Sequence, residues 1–378
     1  MKIGKRNKVS TNIFSFNWGL IGESGAGKTT VIYELLEKIC PSGYLFAEIG
    51  REDGEEAIEN INAIKVVDWD SDWDEEKNTI GFRTMVDDII DNKTTDYPEL
   101  VTIVYDVYDE LVNIAQKEVI RLHNKQHPDK KTNTIRACFG GYMAGEDMAN
   151  QMILDALWEL KRVGVSFVII GHSKIKEQTD IATGESYSML TTDMSSRDFN
   201  CIKNKLHLLG VAYIDRNIVR EKSKKDPKKT VGKVTEEVRK IRFRSDDFSM
   251  DSKSRFANIV DEIPLDANAL YEAMQNAINS ELTKNGVDIK KREKEDAARM
   301  KQEEEEIAAA ESEAKQAKEL LSKVKSFMEE NKKNPEAKST LIALTTYIKD
   351  KEYEKFSDIK NLADAQALID IIEEYNNN

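Results

Sequence analysis

Cysteine is scarce in this chain, which has three cysteines in 378 residues. Cys40, Cys138 and Cys201 are an odd number without CxxC spacing, so the sequence predicts neither a disulfide framework nor a zinc knuckle. Histidine is also rare. His123 and His127 are four residues apart and could share a helix face, but no third ligand stands nearby, which favours a solvated polar pair over a metal site.

Long hydrophobic runs are missing as well. The longest, residues 163–171, is too short to cross a bilayer. The N-terminus is basic but lacks the apolar stretch of a signal peptide. We therefore expect a cytoplasmic protein with no membrane partner.

Acidic residues outnumber basic ones, and the formal net charge is −13. This balance argues against a chain that binds nucleic acid over its whole surface. Residues 216–244 are the exception, with only Glu221, Asp226, Glu236 and Glu237 among many cations. The cations of this basic segment are Arg216, Arg220, Lys222, Lys224, Lys225, Lys228, Lys229, Lys233, Arg239, Lys240, Arg242 and Arg244. The segment could neutralise several phosphates of a nucleic acid, and solvated loop charge is the alternative.

The most informative stretch is a phosphate loop with the pattern GxxxxGK[ST]. It consists of Gly22, Glu23, Ser24, Gly25, Ala26, Gly27, Lys28 and Thr29, and we add Thr30 to the nucleotide-binding set. The glycines let backbone N–H groups turn toward a phosphate chain, and the following helix presents its positive end. Lys28 is predicted to bridge the β- and γ-phosphates of ATP, and the Thr29 hydroxyl to take one Mg²⁺ position.

The surroundings of the loop indicate an α/β fold. Residues 13–21 read as a buried strand entering the loop, and residues 30–39 as the helix that leaves it. Short apolar runs then alternate with helical stretches, as in a mostly parallel sheet covered on both faces. Strands are predicted at 44–49, 63–67, 100–105, 165–171, 208–214 and 238–243, and helices at 85–91, 107–122, 145–163 and 197–206.

Two long loops, 123–141 and 174–196, interrupt this alternation and are expected to be functional or mobile. Beyond the α/β part the chain becomes rich in Lys, Glu and Ala, which predicts charged helices. We divide the chain into an ATPase domain at 1–280, a helical linker or coiled coil at 281–333, and a small helical module at 334–378.

A second strand, at residues 100–105, ends in Asp106. An aspartate at a strand tip after a phosphate loop fits the Walker B role, in which the carboxylate holds Mg²⁺ through water. We therefore predict that Thr29 and Asp106 form the metal site.

The general base has two candidates. Proteins of the AAA+ branch carry a glutamate directly after the Walker B aspartate, but this chain has Val107 there. In RecA-like proteins the glutamate lies at the end of the strand after the phosphate-loop helix. Glu48 is our first choice for that residue and Glu52 the second; the alternative is that both are surface carboxylates.

Two further features resemble RecA-like proteins. His172 follows the predicted strand at 165–171, where it resembles the residue that senses the γ-phosphate, although a lone histidine is usually structural. Lys253 and Arg255 resemble the K-x-R element of the DnaB and RadA branch, whose cations reach the γ-phosphate of a neighbouring subunit. Ser254 and Ala257 depart from the RadA pattern, and solvated charge is the alternative.

Residues 10–265 together resemble the phage RecA-like, AAA-type nucleotide-binding family, which includes phage single-strand-annealing ATPases. The resemblance implies a RecA-like phosphate-loop fold, ATP and Mg²⁺ as cofactors, and an ATPase of phage recombination, repair or replication. It also implies action on single-stranded DNA with a single-strand-binding protein, assembly into a ring or filament, and location in the host cytoplasm. The last hundred residues lie outside the resemblance and are interpreted as a partner-docking or assembly arm.

Other functions share much of this pattern. A hexameric helicase or helicase loader has the same parts. A small-molecule kinase would need a lid of arginines, for which residues 174–196 contain too few. A nucleotide-dependent interaction switch without turnover is a further alternative. The basic segment has almost no aromatic residues for base stacking, and Tyr187 is the nearest candidate.

Overall fold

The computed structural model describes residues 4, 7–50, 57–180, 183–222, 230–244, 249–351, 353, 359 and 361–376, with backbone only at 218–222, 230–234 and 376. The chain separates into two compact units. The first consists of residues 1–87 and 99–299, and the second of residues 88–98 and 300–378.

The first unit is built on a mostly parallel sheet. Its described strands follow the spatial order β11-β9-β8-β1-β6-β5-β2-β3-β4, with β10 added to β8 and β7 added to β6. The strands are β1 (Trp18–Gly22), β2 (Tyr44–Ile49), β3 (Ala63–Asp68), β4 (Thr79–Gly81), β5 (Thr102–Asp106), β6 (Ser166–Thr179), β7 (Ser186–Thr192), β8 (Leu208–Lys222), β9 (Thr230–Arg242), β10 (Lys253–Ser254) and β11 (Glu262–Pro264). Strands from β8 to β4 run parallel, whereas β7, β9 and β10 are antiparallel to their neighbours.

Helices cover both faces of this sheet. They are α1 (Lys28–Ile39), α2 (Phe82–Asp91), α3 (Tyr108–Gln126), α4 (Ala144–Arg162), α5 (Ser196–Lys203) and α6 (Ala267–Lys284), followed by α7 (Ile289–Asn331), which continues into the second unit. α1 and α6 share one apolar core with Trp18, Leu20 and Phe46 of the sheet. On the other face, Trp158 of α4 packs against Phe167 of β6, with ring centroids 5.9 Å apart. The predicted fold class, a mostly parallel α/β sheet with helices on both faces and a helical C-terminal extension, is confirmed.

The central strands are buried on both faces, which explains their continuous apolar runs. Every residue of β1 and of β5 is buried. The alternation of side chains still decides which helix each residue meets, because Val104 and Val168 lie in the core with α1 whereas Tyr105 and Phe167 point to the opposite face.

The two predicted long loops contain regular structure. Residues 174–196 were expected to form a loop, but β6 continues to Thr179 and pairs antiparallel with β7. The residues of this hairpin are mostly polar, so no apolar alternation marked them as strands. Residues 123–141 contain two short 3-10 helices, Pro128–Lys130 and Ile135–Gly140.

His123 is buried rather than solvated, which differs from the sequence-based expectation. Its Nε2 lies 3.1 Å from the carbonyl oxygen of Lys130, and its Nδ1 accepts a 3.1 Å hydrogen bond from the Phe139 N–H. Both ring nitrogens therefore serve to hold the connection between α3 and α4. Among the described residues, no group of three or more His, Cys, Asp or Glu side chains is arranged to hold a metal ion.

The start of α7 belongs to the first unit. Asp296 accepts hydrogen bonds from the Thr11 N–H at 2.8 Å and from the Ser10 and Thr11 hydroxyls at 3.3 and 3.0 Å. The Arg292 guanidinium donates to the carbonyl oxygen of Val9 at 2.8 Å. The division therefore falls after residue 299, rather than at the 280/281 boundary drawn from composition, because composition does not register these long-range contacts.

The described part of the second unit is mostly helical, and it includes the segment 88–98, which begins with the last residues of α2. It contains the remainder of α7 with α8 (Lys338–Asp350) and α9 (Leu362–Asn376), around a core that includes Leu321, Leu344 and Leu368. The segment 88–98 is fastened to α7 within this unit, because the N–H and hydroxyl of Thr94 donate to Glu311 Oε2 at 2.7 and 2.5 Å.

Candidate functional site: a phosphate loop at the carboxyl edge of the sheet

The phosphate loop connects β1 to α1 as the sequence predicts. Gly25 and Gly27 have φ values of +72° and +101°, a left-handed backbone that side-chain-bearing residues rarely adopt. Gly27 is the N-cap of α1, and no side chain caps this helix start. Because the first N–H groups of a helix have no intrahelical partner, they are available to an anion.

Lys28 lies inside this loop and is buried. Its Nζ donates hydrogen bonds to the carbonyl oxygens of Gly22 and Glu23, at 3.2 and 3.0 Å. The ammonium group is therefore held at the centre of the loop, where a phosphate chain would bind.

Thr29 and Asp106 meet directly. The Thr29 hydroxyl donates a 2.5 Å hydrogen bond to Asp106 Oδ2, and the Asp106 side chain is buried. A hydroxyl and a carboxylate oxygen are ligands that Mg²⁺ accepts, with phosphate oxygens and water completing the octahedron. The two side chains that the sequence assigned to Mg²⁺ therefore lie together and fit this ion.

Four neighbouring strands bring the predicted residues to one edge. The four adjacent strands are β1, β6, β5 and β2. They contain, in the same order, Gly22, His172, Asp106 and Glu48. Gly22 pairs with His172, and Asp106 pairs with Glu48. Alternation along the strands directs these side chains to the face that carries α1.

Glu48 is a buried carboxylate at this edge, only 7% exposed. Its Oε2 lies 4.0 Å from Lys65 Nζ, and its Oε1 has no hydrogen-bond partner among the described residues. A buried polar atom without a partner is rare in folded proteins and calls for a ligand or an ordered water. Glu52, the second choice for the base, lies outside the described residues.

His172 lies within β6, the strand between β1, which enters the phosphate loop, and β5, which ends in Asp106. Its backbone N–H donates to Asp109 Oδ2 at 3.1 Å, and its ring Nδ1 lies 3.6 Å from the same oxygen. Asp109 was not identified from the sequence. Asp109 lies in the first turn of α3, three residues after Asp106. This closeness in sequence to the predicted Walker B aspartate is the signal that could have identified it.

Lys253 and Arg255 lie at the opposite edge of the sheet from the phosphate loop of their own subunit. Lys253 and Ser254 pair with the first residues of β8, which align with Trp18 at the start of β1. The length of β1, about 13 Å at 3.3 Å per residue, separates them from the loop. Within one chain, these two cations are therefore not part of the site.

Both cations instead contact the end of α5. Lys253 Nζ donates to the carbonyl oxygen of Lys203 at 2.6 Å, and the Arg255 guanidinium to that of Asn204 at 2.7 Å. Positive groups stabilise the negative end of a helix. Burial, together with the charges of Arg255 and Lys203, lowers the pKa of Lys253.

The basic segment forms a β-hairpin. β8 and β9 pair from Val211 with Arg242 to Lys222 with Thr230, so the paired strands extend well beyond the predicted 208–214 and 238–243. Lys224, Lys225, Lys228 and Lys229 lie outside the described residues. Tyr187 is 37% exposed on β7, where it pairs with Gln178 of β6.

Comparison with known proteins gives the family. Residues 17–255 match the family described as AAA domain, and because this match covers well over half of the 378 residues, the chain belongs to that family. It is a nucleotide-binding phosphate-loop ATPase. No curated protein matches the chain.

Among solved structures, the chain is similar to the KaiC-like protein PH0186 from the hyperthermophilic archaeon Pyrococcus horikoshii OT3. The identity is 12%, the TM-score is 0.28, and the alignment covers 60% of this chain and 77% of that chain. At this level the similarity adds nothing to the strand order and the site geometry. Among the described residues, no helix has the length and apolarity required to cross a membrane.

Proposed function

We propose that this protein is an Mg²⁺-dependent ATPase that assembles into a ring or filament and acts on single-stranded DNA in phage recombination, repair or replication. The observation that carries the ATPase part is the alignment of Gly22, His172, Asp106 and Glu48 on four adjacent strands, at one edge and on one face.

Each residue has a separate task in this site. Lys28 and the loop N–H groups bind the phosphates, and Thr29 and Asp106 hold the metal position. Mg²⁺, when bound, supplies charge neutralisation for the β- and γ-phosphates. Glu48 orients the attacking water and accepts its proton, for which its partnerless buried Oε1 is suited. His172, positioned by Asp109, contacts the γ-phosphate.

Lys253 and Arg255 complete the site of a neighbouring subunit in this proposal. Their position at the opposite edge of the sheet excludes a role in their own site but suits a head-to-tail contact, in which this edge meets the phosphate-loop edge of the next copy. A cation delivered in this way would couple hydrolysis to assembly, because neither subunit alone neutralises the charge of the transition state.

The DNA part rests on the β8–β9 hairpin and on the family resemblance. The hairpin concentrates positive charge in a protein whose net charge is −13, which suits contact with a phosphate backbone at one place only. The acidic C-terminal helices are proposed to dock a single-strand-binding protein or another recombination or replication partner. A helicase or helicase loader is the second candidate, because the same hairpin and site would serve it.

The proposal is tested by ATP hydrolysis with and without single-stranded DNA, followed by sizing with a non-hydrolysable ATP analogue. We expect Mg²⁺-dependent hydrolysis that DNA stimulates, and an oligomer with the analogue. Strand separation of a forked duplex would favour the helicase. Phosphate transfer to a small acceptor, or no hydrolysis under any of these conditions, would overturn the proposal.

A further inference from the structure

One arginine at the root of the β8–β9 hairpin lies against the phosphate loop. A Cβ atom placed on Gly27 would lie 3.7 Å from Nη1 of Arg239 and 3.0 Å from Cδ2 of Leu265. Gly27 has no side chain, so the guanidinium of Arg239 reaches the backbone at the start of α1. The carbonyl oxygen of Arg239 accepts a 2.9 Å hydrogen bond from the Leu265 N–H, which fixes the strand at this point.

The register of the sheet explains why Arg239 reaches the loop. Ala212 of β8 pairs both with Gly22, the last residue of β1, and with Ile241 of β9. Arg239 lies two residues beyond Ile241, past the edge at which β1 ends. Alternation directs it to the same face as Ile241, which is buried in the core with α1.

Arg239 differs from the other cations near it. Three of these are already paired with carboxylates: Arg216 with Glu237 at 3.0 Å and with Glu23 at 3.4 Å, Lys240 with Asp215 and Glu262 at 2.9 Å each, and Arg242 with Glu262 at 2.9 Å. The side chain of Arg239 is exposed and makes no hydrogen bond or ion pair with any residue that the structure describes.

A guanidinium that no described residue pairs, beside the backbone N–H groups of the phosphate loop, is suited to phosphate. Its planar fork of donors matches two phosphate oxygens, and such charge-assisted hydrogen bonds are stronger than neutral ones. The side of β1 from which Arg239 approaches also limits which phosphates it can contact. Arg239 reaches the loop from the β8 side of β1, whereas His172, Asp106 and Glu48 stand on the β6 side, where the γ-phosphate reacts.

We infer that Arg239 binds, within its own subunit, the part of the phosphate chain that ATP and ADP share. This inference rests on the proposed nucleotide site. It adds a residue to that site that belongs neither to the phosphate-loop pattern nor to the cations proposed to act on a neighbouring subunit, Lys253 and Arg255. Arg239 thereby determines affinity for both nucleotides, whereas Lys253 and Arg255 are proposed to determine the rate of hydrolysis.

The test compares Arg239→Ala, Arg239→Lys and the charge control Arg162→Ala, an exposed residue at the end of α4. Equilibrium dissociation constants are measured for Mg·ATP and Mg·ADP without DNA, together with competition by inorganic tripolyphosphate. We expect Arg239→Ala to weaken both nucleotides and tripolyphosphate about tenfold or more, because the substitution removes one charge-assisted hydrogen-bond donor. The affinities of Arg239→Lys should fall between those of the wild type and of Arg239→Ala, and the affinities of Arg162→Ala should match the wild type. Turnover at saturating ATP should be retained.

The outcomes separate this inference from the proposed function. If the wild type binds nucleotide and Lys28→Ala does not hydrolyse it, but Arg239→Ala binds as tightly as the wild type, only the inference is overturned. Weaker nucleotide binding with unchanged tripolyphosphate competition would assign Arg239 to the base or ribose and also overturn it. A loss of turnover in Arg239→Ala with unchanged ADP affinity would assign Arg239 to the γ-phosphate and would also overturn the inference. A wild type that binds no nucleotide would overturn both.

Discussion

At the scale of single residues, the candidate site is built from ionisable side chains that are buried. Lys28 and Asp106 are buried at the phosphate loop, and Glu48 is buried with one oxygen that no described residue pairs. A buried carboxylate oxygen without a partner is costly, so the surroundings of Glu48 Oε1 call for a ligand or an ordered water beside it.

Lys28→Ala is expected to reduce ATP turnover by at least about a hundredfold, because the charge that stabilises the transferring phosphoryl group is removed. The measurement is steady-state phosphate release. Lys38→Ala is the matched control, since Lys38 is an exposed lysine in the last turn of the same helix and its Nζ donates to Asn268 rather than to the loop. Hydrolysis by Lys28→Ala at the wild-type rate would remove the proposed site.

Glu48→Gln is expected to keep ATP binding and lose hydrolysis. The amide can still hydrogen-bond water but cannot accept its proton, and the loss of a general base costs about a hundredfold or more in rate. Binding and single-turnover hydrolysis are measured in parallel with Glu52→Gln. If Glu52→Gln shows this phenotype and Glu48→Gln does not, the base is Glu52.

At the scale of elements, the β8–β9 hairpin joins two parts of the proposed mechanism. Its root lies against the phosphate loop through Arg239 and Arg216, and its strands lead to the lysine-rich residues 223–229. A hairpin that contacts the nucleotide site at one end and DNA at the other would offer a short route between ATP binding and DNA binding.

Neutralising Lys224, Lys225, Lys228 and Lys229 together is expected to flatten the dependence of log affinity for single-stranded DNA on log salt. Removal of one lysine–phosphate ion pair reduces the slope by about 0.7 for a single strand, because one counterion fewer is released. The control replaces four exposed lysines of the second unit, Lys323, Lys325, Lys332 and Lys333. An unchanged slope in the hairpin variant would place the DNA site elsewhere.

At the scale of the whole molecule, two features go beyond a single α/β core. The proposed trans cations at the far edge of the sheet require a neighbouring copy if they are to reach a nucleotide. The first turns of α7 belong to the ATPase unit through Asp296 and Arg292, although their composition resembles that of the charged helix that follows.

Arg255→Ala is expected to abolish hydrolysis and spare nucleotide binding, and mixing it with Lys28→Ala should restore part of the activity. The first variant keeps an intact phosphate loop, and the second supplies the arginine across a mixed interface. An arginine of this kind is worth about a thousandfold or more in rate, so partial rescue is measurable. Absence of rescue in demonstrably mixed oligomers would count against the trans role, and full activity of Arg255→Ala would eliminate it.

A chain that ends at Arg299 is expected to fold and bind ATP, whereas one that ends at Asn285 should be less stable. The shorter chain lacks the hydrogen bonds of Asp296 to Ser10 and Thr11, and leaving buried polar groups without partners costs about 1–3 kcal/mol each. Thermal unfolding and ATP binding of the two chains are compared. Equal melting temperatures would show that these hydrogen bonds contribute little.

The sequence by itself determined the parts whose signal is local. The phosphate loop and the strand that ends in Asp106 each depend on a pattern within a short segment, and the structure has both where they were predicted. The parallel core could also be predicted, because strands buried on both faces have continuous apolar runs.

Only the tertiary structure decided how distant residues meet. The contact of Asp109 with His172, the approach of Arg239 to Gly27 and the contact of Asp296 with Thr11 join residues 63, 212 and 285 positions apart. The polar β6–β7 hairpin likewise depends on backbone pairing without an apolar pattern. Polar contacts of this kind follow from strand order and register, which no single segment encodes, and they therefore could not be predicted from the sequence.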